Sequence, residues 1–108
     1  MTASSRPTPD QIKQWKDEFG KIIAIDDPAE MIFRKPNKPI FSDFMNSITT
    51  GKGTHEMAYI RMSLACLLYP SVPEAQAIFE EYPGLPVTVG DLLGELAGHK
   101  SAVSLKNL

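Results

Sequence analysis

Residues 67–87 read LLYPSVPEAQAIFEEYPGLPV, with prolines at positions 70, 73, 83 and 86. Proline has no backbone N–H, and its ring collides with the carbonyl four residues back. A helix therefore tolerates it only in the first turn. No long helix crosses this stretch, and its helices must begin or end at these prolines. Pro70 closes the element before it and biases Tyr69 toward extended angles. Ser71, Val72, Pro73 and Glu74 fit the S-x-x-E pattern of a capping box, with proline in the first turn. Ala75, Ile78, Phe79 and Tyr82 recur at helical spacing and define one apolar face. Pro83 and Gly84 stop that helix. Pro86 opens another, with Val89, Leu92, Leu93 and Leu96 on one side, and Gly98 ends it. Nine prolines and seven glycines in 108 residues extend the same constraint to the whole chain, which must build from short elements.

The N-terminal half is punctuated in the same way. Residues 1–8 are small, polar and proline-bearing, and are expected to be flexible. Thr8 is placed to cap a helix, with Pro9 at its first position and Asp10 at the positive end of the dipole. Ile12, Trp15 and Phe19 share one face, and Gly20 is predicted to end the helix in the left-handed conformation. The period then changes. Ile22–Ile25 and Met31–Arg34 are short runs of β-branched and large apolar residues around the turn-forming segment Asp26, Asp27, Pro28, Ala29 and Glu30. This predicts a β-hairpin over about residues 21–35. A lone hairpin is marginal in water, so it must lie against the helices. Asn37 is placed to cap the next helix, with Pro39 near its start and Phe41, Phe44, Met45 and Ile48 on one face. The glycines of TTGKGT then break the chain into an exposed loop.

Residues 54–69 are the most apolar segment and read as a central helix. Steps of about 100° per residue place Met57, Ile60, Leu64, Leu67 and Leu68 on one arc. Tyr59, Met62, Cys66 and Tyr69 fall on the opposite arc. A helix apolar on two faces is either central to a fold or holds a partner on one side. The predicted class is α+β, mostly helical: an N-terminal helix, one hairpin, and about four short helices in a compact bundle. One globular domain is expected over residues 9–98, followed by a disordered tail over 99–108.

Composition narrows the function classes. Hydrophobic residues make up 43% and charged residues 22%, which is ordinary globular usage. A net charge of −2 provides no overall field to attract nucleic acid or membrane. Cys66 has no second cysteine with which to form an internal disulfide. The N-terminal residues lack the apolar core of a signal peptide, and no apolar run is long enough to cross a bilayer. These features predict a cytoplasmic protein.

Chemically capable residues do not converge. A phosphate-binding loop would need glycine where Asn46 stands and Ser or Thr where Gly53 stands, and it would follow a strand. His55 and His99 with one cysteine fall short of a four-ligand zinc set. Cys66, among Leu64, Ala65, Leu67 and Leu68, reads as a buried, inert thiol. Asp26/Asp27 and Glu80/Glu81 read as solvated neighbours rather than a general acid–base pair. The expectation is a non-enzyme with no cofactor and no metal. Two binding surfaces are suggested. Arg34, Lys35 and Lys38 beside Phe33, with Lys52 nearby, form a basic and aromatic patch of the kind that binds single strands, or else a solvated strand end. Met45, Met57 and Met62 fall on helices, where methionine either grips varied partners or fills a core.

The stretch TPDQIKQWKDEFGKIIAID followed by MIFRKPNKPIFSDFM resembles small tailed-bacteriophage proteins. Those carry a helix with a tryptophan, a glycine, a strand, a second strand ending in F-R-x-P, and then a helix. The stretch LLYPSVPEAQAIFEEYPGLPVTVGDLLGELAG continues the resemblance, with its Y-P stop, a helix ending in E-Y-P-G-L and a last helix ending in A-G. Together these span residues 9–98 and are similar to the tail assembly chaperones of phages and prophages and their close relatives. The resemblance implies a non-enzymatic protein of the infected bacterium's cytoplasm. It would bind the long, largely helical tape measure protein, keep it soluble, assist assembly of the tail tube protein, and be absent from the mature virion. Self-association is compatible with this role. The resemblance supplies no catalytic positions. With the two-faced central helix, it suggests a partner surface bordered by Phe41, Phe44, Met45, Tyr59, Met62 and Cys66, with a helix-in-groove mode of recognition. The alternatives are a phage structural or connector protein, or a small nucleic-acid-binding regulator using Arg34, Lys35 and Lys38.

Overall fold

The computed structural model of the chain describes residues 6–51 and 54–98. The expectations for the first five residues, for the centre of the TTGKGT loop and for the tail 99–108 lie outside the described residues. The element order is α1 (Pro9–Phe19), β1 (Ile22–Ile25), β2 (Met31–Arg34), α2 (Lys38–Thr50), α3 (His55–Ala65), β3 (Leu67–Tyr69), α4 (Val72–Glu81) and α5 (Leu85–Leu96). The α+β, mostly helical class is as expected, and the hairpin strands have the bounds that the sequence predicts.

Local chemistry sets most of these ends. Thr8 Oγ1 accepts the Gln11 N–H at 3.1 Å, Asn37 Oδ1 accepts the Ile40 N–H at 2.9 Å, and Thr54 Oγ1 accepts the Met57 N–H at 3.1 Å. Each such cap satisfies an otherwise unpaired helix donor and contributes about 1 kcal/mol. Gly20 has φ +81° and ψ −92°, so it leaves α1 with positive φ but outside the left-handed helical region expected for it. Gly51 does end α2 in that region. The Ser71 hydroxyl takes no backbone N–H as a cap and instead donates to Glu74 Oε1 at 3.0 Å, so this half of the predicted capping box is replaced by a side-chain pair.

One element differs from expectation. The helix expected over 54–69 ends at Ala65, and Leu67–Tyr69 forms a third strand. The sheet order is β1-β2-β3, both pairs antiparallel, so the hairpin's second strand becomes the central one. Along β2–β3, Ile32 lies opposite Tyr69 and Phe33 opposite Leu67, which leaves Leu68 as an extra residue on β3. The Arg34 N–H donates to the Cys66 carbonyl at 2.8 Å as the chain turns from helix into strand. The physical reason is that a short apolar run fits a buried helix turn and a strand equally well, and here β2 offers unpaired backbone groups. Pro70 already holds Tyr69 extended, so the strand continues a conformation that proline imposes.

The core gathers Met31 and Phe33 from β2, Phe44 from α2, Ala58 and Met62 from α3, Cys66, Ala75 and Phe79 from α4, and Val89 and Leu93 from α5. Helix α3 packs against both α2 and α5. The face carrying Ala58 and Met62 is thus covered, while on the other arc Ile60 and Leu64 stay half-buried and Met57 is exposed; α3 is the central helix of the bundle. Burial of each large side chain contributes about 1.5–3 kcal/mol. Helix α1 stands apart from this core. It has no fully buried residue, and among the elements it packs chiefly against β1. Its ends are held by the Arg34 guanidinium, 4.2 Å from the centre of the Phe19 ring, and by an ion pair between Arg6 and Glu30 at 2.8 Å.

Candidate protein-binding groove

The six residues expected to border a partner surface separate into two groups. Phe44, Met62 and Cys66 are core residues, with 6%, 2% and 0% exposure, so they face no partner in this conformation. This corrects the expectation for them. The arc of α3 that was open to a partner in the sequence reading is closed by the rest of the bundle. Phe41 and Tyr59 are half-buried, and Met45 is exposed. The rings of Phe41, Phe44 and Tyr59 form a chain, with centres 6.0 Å apart for Phe41–Phe44 and 5.2 Å apart for Phe44–Tyr59, both tilted. These contacts join α2 to α3 as packing.

Tyr59 is fixed more closely still. Its hydroxyl donates to Asp91 Oδ1 at 3.3 Å, and its ring lies over Gly90 of α5. A Cβ at position 90 would come within 2.8 Å of Tyr59 Cε1 and closer still to Cδ1. Burial, and then the adjacent Asp91 carboxylate, push the Tyr59 phenol above its usual value. The Cys66 thiol is pushed up to about 11 by burial, against a smaller opposing pull from Arg34. A thiol held protonated in this way is a poor nucleophile, which agrees with the inert reading.

The basic patch does not form as the spacing suggested. Phe33 is fully buried and presents no ring to a base. Arg34 is engaged on the Phe19 ring and with the Lys35 carbonyl at 3.3 Å. Lys35 and Lys38 line a shallow depression of about 280 Å³ with Pro36, Asn37 and Phe41. Among the described residues no group of three or more His, Cys, Asp or Glu could hold a metal ion. His55 opens α3, and His99 lies outside the described residues.

A wider concavity lies elsewhere, between α3 and α4. It has a volume of about 670 Å³. Helix α3 contributes Glu56 and Ile60, and α4 contributes Pro73, Gln76, Ala77, Phe79 and Glu80, with Pro83 just beyond it. The wall from α4 is regular. Pro73, Gln76, Ala77 and Glu80 recur at i, i+3, i+4 and i+7, which is one helical face. Ala75 and Phe79 are buried and anchor α4 to the core, while Gln76, Ala77 and Glu80 remain exposed. Three exposed large apolar residues flank the groove in sequence: Met57 beside Glu56, Val72 beside Pro73, and Tyr82 beside Pro83, at 56%, 44% and 43% exposure. Of the methionines singled out from the sequence, Met57 is exposed and follows a groove residue in the chain, while Met62 is buried. The period of Pro73, Gln76, Ala77 and Glu80 is visible in the sequence, but the stronger apolar face of the same helix masks it.

A second cleft, of about 460 Å³, lies between α1 and the end of β3, lined by residues that include Trp15, Leu68, Tyr69 and Pro70. No residue lines both hollows.

Comparison with known proteins places the chain among uncharacterised relatives. A family described as Domain of unknown function (DUF6848) matches residues 15–106. The structure of the uncharacterised protein RBSTP2171 from Bacillus stearothermophilus is similar, with 26% sequence identity and a TM-score of 0.66. The match covers 88% of this chain and 99% of that one. No curated protein matches the chain.

Proposed function

The chain belongs to the DUF6848 family, a family described without an activity, and from that premise we propose that it is a non-enzymatic binding module, a tail assembly chaperone of a tailed phage or prophage. It holds segments of the tape measure protein in the host cytoplasm and assists assembly around the tail tube. The observation that carries the binding role is the open groove between α3 and α4, with exposed Met57, Val72 and Tyr82 each next in sequence to a residue that lines it. The fold leaves the apolar lining of this groove accessible, with Ile60 half-buried and Pro73, Ala77 and Pro83 exposed. A groove between two helices suits one face of a third helix, and the tape measure protein is long and largely helical. The narrower identity of the partner rests on the resemblance of the motif order to phage tail chaperones.

The test is co-expression with the longest open reading frame of the neighbouring tail gene cluster. That product should move from the insoluble to the soluble fraction when this chain is present, and the two should co-purify. Equal insolubility with and without the chain removes the proposal. Recovery of the chain in purified particles would point instead to a structural or connector role.

A further inference from the structure

We propose that the α3–α4 groove takes an amphipathic helix whose apolar stripe carries lysine or arginine along both edges. The inference deepens the binding role proposed above and rests on it. The two ionisable side chains among the described residues lining the groove are both carboxylates, and they stand on opposite walls: Glu56 on α3 and Glu80 on α4. Both are exposed, so each is free to meet a partner's charge without a burial cost. The rest of the lining is Ile60, Pro73, Ala77, Phe79 and Pro83, with Gln76 as its one uncharged polar member. A helix about 10 Å across laid in such a groove places its apolar stripe on the floor and its edge residues against the rims. Acidic edges on that helix would meet Glu56 and Glu80 as like charges, while basic edges would pair with both. Complementary charge on both sides fixes the rotation of the bound helix about its own axis, so the two glutamates select among apolar helices.

Two synthetic helical peptides test this. They share one Leu/Ala stripe, and lysine lines both edges in one and glutamate in the other. Binding to the full chain is read by fluorescence anisotropy of the labelled peptides at low and moderate salt. The lysine peptide should bind at least about fivefold more tightly, the sum of two exposed ion pairs set against two like-charge contacts. Salt should narrow the difference. The double variant Glu56→Lys/Glu80→Lys, at exposed positions, should invert the preference while the circular dichroism melt stays unchanged. Equal binding of the two peptides, no binding of either, or a preference that survives the charge reversal would each overturn the inference. These outcomes are separable from failure of the chaperone role. A chain that solubilises the tape measure protein but ignores peptide charge keeps that role and loses this inference. A chain that prefers the lysine peptide through Glu56 and Glu80 but leaves the tape measure protein insoluble does the reverse.

Discussion

At the scale of single residues, the tightest point in the molecule is Gly90 beneath the Tyr59 ring. Alanine at position 90 gains about 1 kcal/mol of helix propensity, but its methyl must displace an aromatic ring that Asp91 and Phe44 hold in place. Overpacking of this kind costs about 1–3 kcal/mol, so Gly90→Ala should lower the unfolding midpoint in urea. In a Tyr59→Ala background the same change should be neutral or stabilising, and a double-mutant cycle measures the difference. Cys66 gives a pH signature. Its thiol ionises near pH 9 in an unfolded chain and at about 11 in the folded one. Below pH 9 both states keep the proton and the thiol makes stability no function of pH. Above pH 9 only the unfolded state loses its proton, so stability falls as pH rises toward and through 11. The loss amounts to about 2–3 kcal/mol, and Cys66→Ala should remove it from the alkaline limb of a pH–stability curve. Capping residues such as Thr8 and Asn37 were legible because a cap is a local event, decided within four residues of chain. Met62 and Gly90 were not, because what covers one and crowds the other belongs to elements distant in sequence.

At the scale of elements, the helices differ in how firmly they are held. Helix α3 lies between α2 and α5, whereas α1 buries no residue fully and is fastened largely at its ends. Native-state hydrogen exchange should therefore release the amides of α1 well before those of α3 and α5. Arg34→Gln, which removes the cation from the Phe19 ring, should widen that gap. Uniform protection across α1, α3 and α5 would show that α1 is part of the cooperative core. Five helices and the hairpin could be placed from proline and glycine punctuation and from hydrophobic period. The third strand could not. Leu67, Leu68 and Tyr69 continue the apolar pattern of α3, and three residues are too few to show whether the period is 3.6 or 2. What decides the matter is the free edge of β2, which only the folded hairpin presents.

At the scale of the whole molecule, surface used for stability and surface available for binding lie on different sides of α4. Ala75 and Phe79 hold it to the core, and Gln76, Ala77 and Glu80 face the groove. Ala77→Arg should obstruct the groove while changing stability by no more than about 0.5 kcal/mol, the usual range for an exposed position. Its expected effect in the co-expression experiment is loss of the solubilising activity from a chain that melts normally. An unfolded variant would instead show that α4 has no independent outer face. The sequence pattern indicated apolar surface beyond the needs of one core, but it assigned that surface to the arc of α3 that α2 and α5 share. The groove depends on how α4 returns beside α3 after Pro70, a matter of tertiary geometry. The position of Trp15 in the other cleft has a practical corollary. As the chain's one tryptophan, it is a built-in optical reporter on the loosely fastened helix, and it lines no part of the groove. Intrinsic emission should register release of α1 and stay quiet when a guest occupies the groove, so an unlabelled sample can tell breathing from loading.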